Sequence, residues 1–143
     1  MLSPKRPISK NEAVEKLWRS GILHWKLNSC QKKLYNTFHD AKYRKVVWTC
    51  SRRLGKSFSL LVVALEYALK NPGAQIKYAC PTAIMAQKII IPNIRKILAD
   101  CPVDIKPNFV KAEKCFYFKN DSIIQIEGVD EGNAVSLKVF TVL

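Results

Sequence analysis

Cys-Ser-Arg-Arg-Leu-Gly-Lys-Ser occupies residues 50–57 and ends in the Gly-Lys-Ser tripeptide that is typical of phosphate-binding loops. An apolar run, Val46-Val47-Trp48, precedes it, and an apolar helical pattern follows from Phe58 to Leu69. Nucleotide phosphates need backbone N–H donors, the positive end of a helix and a fixed ammonium, which a strand, a turn and a helix start supply together. The sequence therefore predicts a nucleotide site in which Lys56 contacts the β- and γ-phosphates and the Ser57 hydroxyl binds Mg²⁺.

The loop departs from the usual motif at its first position, because Cys50 stands where such loops usually carry a glycine. Gly-Lys-Ser also occurs by chance at ordinary helix starts, where the serine lies near the cap. A plain helix start is therefore the alternative to the nucleotide site.

Charge is distributed unevenly along the 143-residue chain, which has a net charge of +13. Residues 1–60 carry 14 Lys and Arg against 3 acids, whereas the remainder carries 10 against 8. The length and the 48% hydrophobic content predict one domain, or part of one, with a real core. The basic front half predicts a surface for nucleic acid, with a merely hydrated basic surface as the alternative.

Five cysteines are scattered without a Cys-x-x-Cys pair, which predicts reduced thiols and a cytoplasmic location, the host cytoplasm if the protein is viral. Neither the cysteines nor the two histidines have the spacing of a zinc site. The longest apolar stretch, Leu60–Leu65, is too short to span a bilayer, so no membrane partner is expected.

Helical patterns open the chain after a flexible basic segment at residues 1–8. A Ser-x-x-Glu capping box at Ser9–Glu12 predicts a helix that stops near Gly21. A second helix is expected from about Ser29, with a buried stripe formed by Leu34, Tyr35 and Phe38.

Strand and helix patterns then alternate. Tyr43–Cys50 and Ile76–Cys80 are predicted strands, and the helix between them ends at Asn71-Pro72-Gly73. A further helix is predicted over Ala83–Asp100, which Pro92 kinks or divides. This order predicts a parallel α/β sheet with right-handed crossovers.

The last forty residues show a different pattern. Cys115–Phe118 and Ile123–Ile126 predict a β-hairpin, and Gly128–Asn133 predicts an acidic loop. The apolar run Val139–Leu143 is interpreted as a strand cut short, and hence as the end of an incomplete domain.

The whole pattern resembles the ATPase domain of phage terminase large subunits, whose loops read Ser-Arg-x-x-Gly-Lys-Ser/Thr without the first glycine. Looser matches follow the second strand, at Cys80-Pro81-Thr82 and Ala86-Gln87-Lys88, and later at Asn120-Asp121-Ser122 and Asn133–Lys138. The resemblance implies a P-loop NTPase-type parallel sheet flanked by helices, with a hairpin near the C-terminus. It divides the chain into a basic lead-in and helix at residues 1–24 and a partial ATPase domain at 25–143.

The resemblance implies roles for individual residues and implies ATP and Mg²⁺ as cofactors. Gln31 would hydrogen-bond the adenine edge, Arg52 would stabilise the γ-phosphate and act with Lys56 in catalysis, and Ser57 would bind the metal. The nucleotide-binding loop as a whole comprises Ser51, Arg52, Arg53, Leu54, Gly55, Lys56 and Ser57. A solvated glutamine and a surface arginine are the alternatives for Gln31 and Arg52, and Arg53 contacts DNA or solvent.

The carboxylates that should hold Mg²⁺ and position water have no convincing match. Asp130-Glu131 is the candidate pair, but Gln125, Glu127 and Gly128 interrupt the apolar run that should precede it, which favours a loop. Weak or absent ATP turnover is therefore expected from this chain alone.

On this resemblance the chain is interpreted as the ATP-binding part of a motor that drives double-stranded DNA into a viral capsid. The implied partners are double-stranded DNA, the portal and the small terminase subunit, within a homo-oligomeric ring. A helicase-like ATPase and a non-catalytic, basic nucleic-acid-binding module are the alternatives.

Overall fold

The computed structural model describes residues 6–38 and 55–128. Among the described residues, the first strand is preceded by α1 (Lys10–Arg19), α2 (Ser29–Phe38) and α3 (Lys56–Lys70), with a short 3₁₀ turn at His24–Lys26 between α1 and α2. Strand β1 (Gln75–Cys80) leads into a helical stretch made of α4 (Ala83–Met85), a π-helical turn (Ala86–Ile90), α5 (Ile91–Ile97) and a 3₁₀ turn (Leu98–Asp100). The remaining strands are β2 (Asn108–Val110), β3 (Cys115–Tyr117) and β4 (Ile123–Gly128).

The local signals at the helix ends are confirmed. Ser9 Oγ accepts a hydrogen bond from Glu12 N at 3.2 Å, and Ser9 N donates to Glu12 Oε2 at 3.1 Å, which completes the capping box. Gly21, with φ at 70°, follows the end of α1, and its N–H bonds to Trp18 O at 3.0 Å. The stripe expected on α2 is only half-buried, since Leu34, Tyr35 and Phe38 all retain partial exposure.

Pro92 divides the helix predicted over Ala83–Asp100. Proline has no N–H to donate to the preceding turn, and the widened π-helical turn lies directly before α5, which has Pro92 in its first turn. At the other end Thr82 Oγ1 accepts a hydrogen bond from Met85 N at 3.1 Å and caps α4.

The four described strands form one mixed sheet in the order β1-β4-β3-β2, in which the predicted hairpin is joined to a parallel pair of strands. β1 and β4 are parallel from Gln75↔Ile123 to Cys80↔Gly128, whereas β3 is antiparallel to both of its neighbours. The tight turn between β3 and β4 forces their antiparallel pairing, which confirms the predicted hairpin. The strands predicted at Tyr43–Cys50 and Val139–Leu143 lie outside the described residues, so a P-loop NTPase-type fold stays a prediction.

Polar residues in β4 follow from its alternating burial. Ile124, Ile126 and Gly128 are buried, whereas the residues between them are half-exposed. The acidic loop predicted from Gly128 onward is therefore wrong at its first residue, which ends a strand, and the rest of that loop lies outside the described residues.

One hydrophobic core joins α1, α3, α5 and the sheet. α3 buries most of its circumference, as its composition predicts, and packs against the even-numbered side chains of β1 and β4. Trp18 of α1 is 1% exposed and belongs to the same core. Within residues 6–38 and 55–128, no helix combines the length and apolar character needed to cross a membrane.

Gly128 allows the end of β4 to lie directly against the start of α4. A Cβ at this position would lie 2.2 Å from Ala83 N and 2.5 Å from the carbonyl carbon of Thr82. Because these are backbone atoms at the junction of a strand and a helix, they cannot rotate away as a side chain would. The glycine is required by space, since its φ is not among the positive values.

Gly128→Ala is therefore expected to destabilise the fold by about 1–3 kcal/mol, the usual range for overpacking. The free energy of unfolding in urea measures this loss. Gly73→Ala is the matched control, because nothing lies within 4 Å of its Cβ position and only its φ of 74° disfavours a side chain. Wild-type stability of Gly128→Ala would contradict the close approach of β4 and α4.

Candidate functional site

The predicted nucleotide site centres on the N-terminus of α3. Gly55 precedes the 15-residue helix with φ at 81° and ψ at 39°, in the left-handed region. Lys56 is the first helical residue and is half-buried, while Ser57 is exposed. Gly55 has no side chain to cap the first-turn N–H groups, so this helix end can accept an anion through backbone donors and the helix dipole.

Hydrogen bonds fix the carbonyl group of Gly55 on the protein side of the turn. Its oxygen accepts from Ser59 N at 3.1 Å, from Ser59 Oγ at 3.0 Å and from Gln31 Nε2 at 3.2 Å. Ser59 is fully buried and Gln31 is 7% exposed. The start of α3 is thereby held rigidly, as an anion site built from backbone groups requires.

Gln31 links the N-terminus of α2 to this turn. Its backbone N–H donates to Asn28 Oδ1 at 2.8 Å, while its side-chain Oε1 accepts from Asn28 N at 3.0 Å. Its Nε2 makes the bond to Gly55, so the alternative of a solvated glutamine is wrong. Adenine recognition by Gln31 stays a prediction. It requires the hydrogen bonds of the Gln31 side chain to Asn28 N and to Gly55 O to be replaced by hydrogen bonds to the base.

The carboxyl end of β1 lies beside that of β4, and Tyr78 of β1 lies near the start of α3. Burial raises the pKa of Tyr78 in β1, and hydrogen bonding with the nearby Ser57 side chain opposes that shift. A hydroxyl has one proton and two lone pairs, so this proximity is compatible with metal binding by Ser57. Cys80 Sγ donates to Glu127 O at 3.2 Å and ties the two strand ends together. Ligands of α/β proteins commonly bind at this edge of a sheet.

Several predicted site residues lie outside the described part of the chain: Ser51, Arg52, Arg53, Leu54, Asp130 and Glu131. Among the predicted site residues that the structure describes, Gln31 and Gly55 are in direct contact. Lys56 and Ser57 come directly after Gly55, in the first turn of α3. Gln87 is exposed and lines a separate groove. Residues 6–38 and 55–128 contain no group of three or more His, Cys, Asp or Glu side chains that could hold a metal, and metal binding by Ser57 stays a prediction.

Sequence reasoning missed Glu66, which is 1% exposed in the middle of α3. Its Oε2 accepts from the backbone N–H groups of Leu23 and His24, at 2.9 and 3.1 Å. Its Oε1 accepts from the hydroxyl of Tyr35 and from Lys70 Nζ, the latter at 2.9 Å. A lone acid inside an apolar helix was the signal that could have revealed it.

The ionised form of Glu66 is favoured by these donors. Burial raises the pKa of Glu66, but the hydrogen bonds from Tyr35, Lys70 and Leu23 together lower it by more than burial raises it. The pKa therefore lies below its ordinary value. Burial and the adjacent carboxylate raise the pKa of Tyr35, which remains a proton donor. Because Tyr35 and Gln31 lie one turn apart on α2, the Glu66–Tyr35 bond holds Gln31 against Gly55.

No family model matches the chain, and comparisons with curated proteins and with solved structures found no similar protein.

Glu66→Gln is expected to lower the free energy of unfolding at neutral pH by about 2–3 kcal/mol, because charge-assisted hydrogen bonds from buried donors are lost. Since the folded-state pKa is depressed, the wild-type advantage is fully present above the ordinary glutamate value of about 4.5 and is lost as the pH falls through the folded-state value. Urea unfolding as a function of pH measures both effects.

Glu15→Gln is the control for that comparison, because Glu15 forms an exposed ion pair with Arg19 and such pairs contribute little. A Glu66→Gln penalty that stayed constant down to acidic pH would contradict an ionised Glu66.

The contact between Gln31 and Gly55 predicts coupling between two substitutions. A Cβ on Gly55 would lie 2.4 Å from Gln31 Nε2, and Gln31 atoms are the only described neighbours within 4 Å. Gly55→Ala should therefore combine the strain of positive φ with displacement of the Gln31 amide, at a total of about 2 kcal/mol. In a Gln31→Ala background the steric part should disappear, and a double-mutant cycle of unfolding free energies measures it. Strict additivity would argue against the contact.

Proposed function

We propose that the chain binds ATP·Mg²⁺ at the N-terminus of α3, as the nucleotide-binding part of a terminase-type ATPase that moves double-stranded DNA. The main support is the left-handed Gly55 followed by Lys56 and Ser57 at the start of a long helix. Ser57 at this helix start lies near Tyr78 of β1, whose carboxyl end is adjacent to that of the parallel strand β4, and ligands commonly bind at this edge of a sheet.

Each residue of the site has a distinct role in this proposal. The first-turn N–H groups of α3 and the Lys56 ammonium bind phosphate oxygens, and the Ser57 hydroxyl contributes to Mg²⁺ coordination. The Gly55 carbonyl is fixed from behind by Ser59 and Gln31, and the absence of a Cβ at Gly55 leaves room for the Gln31 amide. The bound metal would neutralise charge on the phosphates, and these side chains would hold and orient the nucleotide.

The DNA-packaging role rests on the resemblance of Ser51–Ser57 to terminase loops and on the net charge of +13. The portal, the small terminase subunit and a homo-oligomeric ring are proposed on the same resemblance.

Lys56→Ala is expected to weaken ATP·Mg²⁺ binding on the order of 100-fold, because a charge-assisted contact to phosphate contributes about 1.5–3 kcal/mol. Equilibrium titration with a fluorescent ATP analogue measures the affinity. Lys96→Ala is the matched control, since it removes one exposed lysine from α5 and should bind as the wild type does.

Ser57→Ala sharpens the test of the metal contact. The ATP affinity of Ser57→Ala in the presence of Mg²⁺ should approach the affinity of the wild type when a chelator has removed Mg²⁺. Adding Mg²⁺ should therefore improve ATP binding less in this variant than in the wild type. Equal affinities of wild type and Lys56→Ala would overturn the proposed site. Wild-type DNA binding without any ATP binding would favour the non-catalytic nucleic-acid-binding module.

A further inference from the structure

A basic groove separates the helical stretch after β1 from the β2–β3 hairpin. It has a volume of about 380 Å³ and is lined by Gln87, Ile91, Arg95, Phe109, Lys111 and Lys114. We call it the hairpin groove. Three of its six lining residues are cationic and none is acidic.

The positive charge of the hairpin groove is not neutralised by the described acids. Within residues 6–38 and 55–128, the ion pairs involve other cations, and Arg95, Lys111 and Lys114 form none. Glu113 is the acid closest to them in sequence, but it accepts a hydrogen bond from the Tyr117 hydroxyl and lines a different cavity with Gln75 and Lys77. The turn between β2 and β3 therefore directs Glu113 to one cavity and Lys111 and Lys114 to the hairpin groove.

Folding also changes where the positive charge of the chain is available. Acids from the back half pair with cations from the front half, as Lys26 Nζ and Asp100 Oδ2 at 2.9 Å and Arg19 Nη1 and Asp104 Oδ2 at 2.8 Å illustrate. These pairs engage Asp100 and Asp104 of the back half with front-half cations, so these two acids do not neutralise the cations of the hairpin groove.

The groove cations are supported by packing and backbone hydrogen bonds. The Arg95 guanidinium lies 5.3 Å from the centre of the Phe109 ring, which in turn packs on Phe116 with 4.6 Å between ring centres. Lys114 has φ at 53°, and its carbonyl accepts from Ile126 N at 3.0 Å. Its N–H donates to Lys111 O at 3.3 Å, which closes the turn that carries both lysines.

We propose that the hairpin groove binds the phosphate backbone of a nucleic acid. Cations on two separate elements face one open channel, which suits a partner with successive phosphates. Phe109 already packs against Arg95 and Phe116, so the groove contacts phosphates without stacking on bases, and its binding is independent of sequence. This surface lies beyond the proposed ATP site and acts without nucleotide.

The test compares the triple variant Arg95→Gln, Lys111→Gln, Lys114→Gln with the wild type in ATP-free titrations of a short duplex DNA at several salt concentrations. Loss of three phosphate contacts should reduce the slope of log affinity against log salt by about 2.7 for duplex DNA and about 2.1 for a single strand. The same titrations with a single strand of equal length form the second arm, and the nucleic acid whose slope falls by its full expected amount is the form that occupies the groove. Inorganic phosphate at the same phosphate concentration should not compete.

Lys16→Gln, Lys32→Gln, Lys33→Gln is the matched control, because it removes the same charge from exposed positions on α1 and α2. Equal slope changes in both triple variants would attribute the effect to net charge and overturn the proposal, as would an unchanged slope or competition by free phosphate. Lys111→Glu, a single exposed charge reversal, decides the matter if the triple variant unfolds at a lower temperature. ATP affinity should be unaffected in the groove variants, so the two proposals fail independently.

Discussion

The hydrogen-bonded carboxylate of Glu66 is the constraint on which the arrangement of the helices depends. A buried charge is tolerated when donors satisfy its oxygens, and here the donors come from the turn after α1, from α2 and from α3 itself. Displacement of α2 from α3 would remove the Tyr35 hydroxyl, and displacement of the turn after α1 would remove both backbone donors, so either would leave the buried charge with fewer partners. The Glu66–Tyr35 bond thus holds α2, which carries Gln31, against α3 at a point about three turns beyond Gly55.

The candidate site combines a fixed side with an open one. Gln31 and Ser59 hold the carbonyl of Gly55 inside the protein, while the N–H groups of the following turn have no capping side chain from Gly55 itself. An anion site needs both properties, because donors that must reorganise on binding lose part of their advantage. In the hairpin groove, side-chain cations take the place of backbone donors, and packing of Arg95 on Phe109 holds one of them in position.

Local features of this fold could be predicted from sequence, whereas long-range features could not. The capping box at Ser9, the stop at Gly21, the apolar helix α3 and the β3–β4 hairpin all depend on residues close together in the chain. The parallel pairing of β1 with β4 depends on segments almost fifty residues apart, and β2 is too short to carry a pattern. Gln31 was identified as a site residue, but its bond to Gly55, the partners of Glu66 and the pairing of Arg19 with Asp104 required the folded chain.

The π-helical turn at Ala86–Ile90 determines which side of α5 faces the core. It holds one residue more than an α-helical turn, and one residue corresponds to about 100° around a helix axis. With this offset, Ile94 and Ile97 point into the core while Arg95 lies over Phe109. The number of residues between Thr82 and Pro92 is thus a stricter requirement than the identity of the exposed ones. Insertions or deletions there would turn the apolar side of α5 toward water even if every side chain were kept.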